Sequence, residues 1–177
     1  MIWMWVLVGA VAILFVWFWR WGSEAAPIHF TDPGTMRQAL RWVVLRGVHK
    51  RHLRGHLEIF IGGASKPALV FTKTKYSDGE FGVTATVHAN GLQVDAGKNI
   101  PAALTAKGIS FDPSDPGSVS VEVVKDFGLA LVLLQTMCVD VAGKKVETDC
   151  IGYLRDVVVT NAPSLTGIDA PNEELFK

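Results

Sequence analysis

The run MIWMWVLVGAVAILFVWFWRW at residues 1–21 constrains this chain more than any other feature. From Met1 to Trp19 it holds no charged, Asn, Gln or Pro side chain. At helical rise that stretch measures about 28 Å, close to the hydrocarbon thickness of a bilayer. A helix in a water-soluble core would show a polar stripe, and this one has none. Trp3 and Trp5 stand at one end, and Trp17, Trp19 and Trp21 at the other, beside Arg20. Indole is flat and amphipathic and prefers the headgroup level, so two tryptophan clusters a membrane apart read as aromatic belts. A single-pass transmembrane anchor over residues 1–21 is therefore predicted, with these six residues at the membrane interfaces. A cleaved export signal fits less well. It needs a basic leader, yet no Lys or Arg precedes Arg20, and its apolar core is shorter, although Ser23-Glu24-Ala25 makes a passable cleavage site.

Basic residues follow the run: Arg20, then Arg37, Arg41, Arg46, Lys50, Arg51 and Arg54. Lys/Arg asymmetry sets topology, so the soluble part is expected in the cytoplasm, although only Arg20 and Arg37 lie near enough to count strongly. Overall net charge is zero, but residues 1–57 are basic and the rest mildly acidic. A general nucleic-acid binder would be basic throughout, so that class is set aside.

Residues 22–34 read as a linker, 35–161 as one α+β domain and 162–177 as an extended tail. A helix is expected over 35–50, because Met36, Leu40, Val43, Val44 and Val48 follow helical spacing. Its start is either the capping-box pattern Thr35-Met36-Arg37-Gln38 or Asp32-Pro33. HLEIFI alternates Leu57, Ile59 and Ile61 on one face. ALVFTKTKY and FGVTATVHA flank the turn signal Asp78-Gly79, and Asn90-Gly91 returns the chain into LQVD. These make an antiparallel meander of four short strands. NIPAALTAKG reads as a short helix and FDPSDPGS as a loop. SVSVEVV reads as a strand with Val119, Val121 and Val123 inward. DFGLALVLLQTMCVDVAGKK reads as a buried helix ending at Gly143, the alternative being that its second half pairs with VETDCIGYL. CIGYLRDVVVTN closes the domain as a last strand or two. The predicted architecture is an antiparallel meander sheet covered on one side by helices.

Sites of chemistry are sparse. His49, His52 and His56 would share one face of a continuous helix and are weak metal candidates. Gly47 and Gly55 interrupt that region, and Lys50, Arg51 and Arg54 disfavour a cation. Asp112 and Asp115 could hold a cation weakly. GGASKP lacks the spacing of a phosphate loop, and Asp126-Phe127-Gly128 lacks the other kinase motifs. His88 lies on a polar strand face with Thr84 and Thr86. Cys138 and Cys150 are expected to be reduced if the domain is cytoplasmic. No cofactor and no catalytic residue is assigned.

The functional expectation is a non-catalytic accessory or scaffold subunit of a larger membrane protein complex. Its partners would be the lipid bilayer and other membrane subunits, and Arg37, Arg41, Arg46, Lys50, Arg51 and Arg54 would meet lipid headgroups or an acidic partner. The alternative is a membrane-tethered enzyme or small-ligand binder with a site assembled from dispersed residues such as His88, Asp78 or Asp95.

Overall fold

The computed structural model describes residues 27–92, 99–115 and 117–157. The anchor expected over residues 1–21, the tail expected over 162–177 and Asp95 lie outside the described residues. Among those described, no helix is long and apolar enough to cross a bilayer.

The chain begins with β1 (Ile28–His29) and α1 (Pro33–Arg46), followed by a tight hairpin of β2 (His49–Lys50) and β3 (Leu53–Arg54). The sheet then builds up through β4 (His56–Ile61), β5 (Leu69–Lys75) and β6 (Phe81–His88). A 3₁₀ turn at Ala89–Gly91, α2 (Asn99–Ala106), β7 (Asp112–Asp115) and β8 (Ser118–Val124) come next. α3 (Phe127–Gln135) runs on into a π-helix (Thr136–Val141), and a one-turn α4 (Val146–Asp149) leads into β9 (Cys150–Arg155). The fold is α+β. The main sheet has seven strands in the order β1-β9-β4-β5-β6-β8-β7, with every neighbouring pair antiparallel.

Two-residue alternation sets its two faces. Leu57, Ile59 and Ile61 of β4, Leu69 and Phe71 of β5, Val83, Ala85 and Val87 of β6, and Val119, Val121 and Val123 of β8 are all buried on one face. α1 packs across β4, β5 and β6 on that face, and α3 packs on α1 and β8. α1 has modest intrinsic propensity, since Val43, Val44 and Trp42 lose rotamer freedom in a helix. Packing holds it instead: Met36, Leu40 and Val43 are fully buried, and each such side chain contributes roughly 2 kcal/mol. The opposite sheet face is polar, with rows such as Arg155, His56, Thr72, Thr84 and Glu122 running across the strands.

Both helix ends are set by local chemistry. The start is Asp32-Pro33. The Asp32 carboxylate accepts from the Thr35 backbone N at 3.1 Å and from the Thr35 hydroxyl at 2.8 Å, with Pro33 in the first turn. These bonds also hold the Asp32 carboxyl below its ordinary value. The Thr35 capping box does not form. The helix stops at Arg46, four residues before its expected end, and Gly47 turns extended with its N–H on the Val43 carbonyl at 3.0 Å. Gly47 and Gly55 then lie backbone to backbone. A Cβ on Gly55 would strike Gly47 Cα, and one on Gly47 would strike the Val43 carbonyl. The predicted helical stretch at 47–50 is therefore replaced by a hairpin pinched between two glycines.

Other expectations are corrected. The strand beside β6 is β8, while Leu92 belongs to no strand and residues 93–98 lie outside the described set. FDPSDPGS contains β7, an irregular edge strand paired with β8. The Leu-rich segment is helical, as expected, with a π-helical end. β9 inserts between β1 and β4, a placement that local pattern did not suggest.

Candidate functional site

The basic residues of the sequence reading divide between two elements. Arg37, Arg41 and Leu45 recur at four-residue spacing along α1, with Trp42 and Arg46 beside them. Arg37, Leu45 and Arg46 are exposed, and Arg41 and Trp42 are half-buried. The Arg46 guanidinium lies 6.0 Å from the centre of the Trp42 ring. Lys50, Arg51 and Arg54 are exposed on the hairpin that follows. The ion pairs formed among the described residues involve Lys107, Lys125, Arg155 and His56. Arg37, Arg46, Lys50, Arg51 and Arg54 enter none of them. The α1 flank bearing Trp, Leu and Arg is thus continued by an exposed basic hairpin.

The three histidines part company once the helix ends at Arg46. His49 sits on β2 with its ring edge-on to Phe81, centroids 5.1 Å apart. His52 occupies the exposed hairpin turn. His56 opens β4, and its Nδ1 bonds the Arg54 carbonyl at 2.8 Å. Among the described residues, no group of three or more His, Cys, Asp or Glu side chains gathers as a metal site.

The polar sheet face holds a cluster that sequence reasoning missed. Glu58 of β4 accepts from Arg155 Nε of β9 at 3.3 Å, and its other oxygen lies 3.5 Å from His56 Nε2. Arg155 stacks over Tyr153, 5.5 Å to the ring centre, and Tyr153 meets Phe60 edge-on at 5.7 Å. Glu58 and Arg155 are 97 residues apart in sequence. The only signal for their meeting is that both lie on polar positions of alternating strands. Of the dispersed residues expected for an enzyme, Asp95 lies outside the described residues, and Asp78 and His88 do not converge. Asp78 accepts from Glu80 N in the β5–β6 turn, whereas His88 sits at the far end of β6. Burial there pulls the His88 imidazole below its ordinary value. Asp112 lies on β7, opposite Ser120, and Asp115 pairs with Ser118.

A cleft of about 260 Å³ opens between the N-terminal end of α1 and α3, walled by Phe30, Met36, Leu131 and Leu134 and rimmed by Asp32 and Glu147. Thr31, Asp32, Gln135 and Glu147 supply its polar groups, and Asp32 is already engaged in capping α1. Beneath the other end of α1 lies Lys73, the charged side chain that is buried among the described residues. Its Nζ donates to the Gly47 carbonyl at 2.9 Å and sits 4.6 Å from the centre of the Phe81 ring. The ammonium thus caps the negative end of α1, which accounts for its burial in structural terms. The chain matches no protein-family model, no curated protein sequence and no solved structure.

Proposed function

We propose that this chain is a single-pass membrane-anchored accessory subunit that holds or assembles a larger membrane protein complex. Residues 1–21 form its anchor, and the α+β domain stands on the cytoplasmic side with its basic flank toward anionic headgroups or an acidic neighbour. One observation carries the reading. Arg37, Arg46, Lys50, Arg51 and Arg54 are exposed and free of ion pairs among the described residues, and they follow closely in sequence on a tryptophan-flanked apolar run. Near an anionic leaflet each such charge contributes roughly 1 kcal/mol, and the effect dies away within a Debye length. A tether shortens the search, so a few contacts suffice to orient the domain.

Affinity purification of the full chain in mild detergent tests the proposal. Membrane subunits are expected to copurify in fixed ratio, and reversing Arg46, Lys50 and Arg51 to Glu is expected to weaken that association without unfolding the domain. A lone monodisperse protein would defeat the scaffold reading.

The second reading, a membrane-tethered enzyme or ligand-binding domain, is favoured by the His56–Glu58–Arg155 cluster with Tyr153 beside it. An anionic or aromatic small molecule retained by the purified chain, and lost in Arg155→Ala, would move the assignment to that class.

A further inference from the structure

Cys138 and Cys150 meet where the helical layer joins the sheet. Cys138 lies in the π-helix that continues α3, and Cys150 is the first residue of β9, paired with Ile61 of β4. Both side chains are fully buried, and their sulfurs are 3.3 Å apart, with the Cys150 thiol directed at Cys138 Sγ. Burial alone says little, because cysteine commonly serves as a small apolar residue. Two sulfurs in van der Waals contact, carried by different elements, are a different matter. A disulfide bond is ~2.0 Å long, so side-chain adjustment of little more than an ångström would join them.

We propose that Cys138 and Cys150 form a dithiol site that closes reversibly to an intramolecular disulfide by exchange with a small-molecule or protein disulfide. In the first step Cys138, as thiolate, attacks one sulfur of the disulfide reagent. An S–S bond forms to Cys138, the reagent's own S–S bond breaks, and one thiolate leaves. In the second, Cys150 gives up its proton to that thiolate and attacks the Cys138 sulfur, expelling the second thiolate, which takes a proton from solvent. Cys138 begins as a thiol whose proton also goes to solvent, so the balance is two protein thiols plus one disulfide giving one protein disulfide plus two thiols. Two electrons pass from the cysteines to the reagent.

The roles follow from the surroundings. The hydrogen bond from Cys150 favours the Cys138 thiolate, while the same bond together with burial pushes the Cys150 thiol up. Cys150 is also fixed in the β9–β4 ladder opposite Ile61, whereas Cys138 lies on the π-helix, so Cys138 is taken as the attacking sulfur and Cys150 as the resolving one. Access comes from the segment between them. Gly143, Lys144, Lys145, Glu147 and Thr148 are exposed, so local opening of this connection uncovers the sulfurs without dismantling the sheet.

The experiment uses the reduced full chain in mild detergent, equilibrated anaerobically with increasing ratios of glutathione disulfide to glutathione. The samples are quenched in acid and alkylated after denaturation. Hydrogen exchange at 142–149 first fixes an incubation time longer than local opening. The expected result is a single transition from two alkylated cysteines to none. It should be accompanied by a mass lower by about two hydrogens and a peptide linking Cys138 to Cys150. Cys150→Ala is expected to stop at a glutathione adduct on Cys138. Independent glutathione adducts on both cysteines of the unsubstituted chain, a disulfide between copies, or two free thiols at the highest ratio would each overturn the proposal.

Discussion

Lys73 shows how one side chain can be held in the core against its own solvation. Its strand position faces the apolar side of the sheet, where an ammonium is costly, and the Gly47 carbonyl with the Phe81 ring replaces only part of its water. Desolvation lowers its affinity for a proton below the ordinary value of 10.5. Between that lowered value and 10.5 the unfolded chain binds more protons than the folded one, so this side chain makes stability rise with pH across that window. Denaturant unfolding of the wild type and Lys73→Met isolates the effect. The stability difference, wild type minus variant, is expected to grow as pH is raised toward 10.5. A difference independent of pH would mean that the ammonium is solvated in the folded state. His88 works in the same direction at lower pH: its lowered folded value means that stability is lost as pH falls below 6.5.

Among the elements, the hairpin between α1 and β4 depends on the close approach of Gly47 and Gly55. Gly55→Ala would drive a methyl into Gly47 Cα and place it 3.0 Å from the Asp156 carbonyl. The expected cost is roughly 1–3 kcal/mol, as for overpacking elsewhere, read as a lower denaturation midpoint. An unchanged midpoint would show that the hairpin shifts freely. Elements governed by their own pattern were legible in the sequence. β4, β5, β6 and β8 alternate because one face of each is buried, and Leu57, Phe71, Val83 and Val121 declare it strand by strand. The end of α1 was not legible, because Val48 continues the helical spacing while the stop comes from a contact between two glycines eight positions apart. The place of β9 was equally hidden, since strand partners are chosen by non-local packing. For the same reason the exposed basic residues could be named in advance, whereas the Glu58–Arg155–His56 cluster, made by β9 settling beside β4, could not.

At the scale of the molecule, charge is distributed so that the first third is basic and the remainder mildly acidic. If the basic flank of α1 and its hairpin faces a membrane, binding must depend on both lipid charge and salt. A fragment from Pro27 onward, sedimented with vesicles, is expected to bind anionic bilayers at low salt, to release at high salt and to ignore neutral ones. Equal binding to both vesicle types, or none to either, would remove the lipid as the partner of this surface. The N-terminal entry into the sheet carries a mechanical consequence. Among the described residues β1 is joined to β9 through two residue pairs, Ile28 with Gly152 and His29 with Ile151, and Phe30 just beyond presses its ring against Gly152. A pull on the N-terminus therefore loads this short seam first, and Ile28 and Phe30 can be drawn from the core while β4, β5, β6 and β8 remain paired. The seam acts as a fuse: tension entering from the N-terminal side would be relieved at one strand end before it reached the body of the sheet.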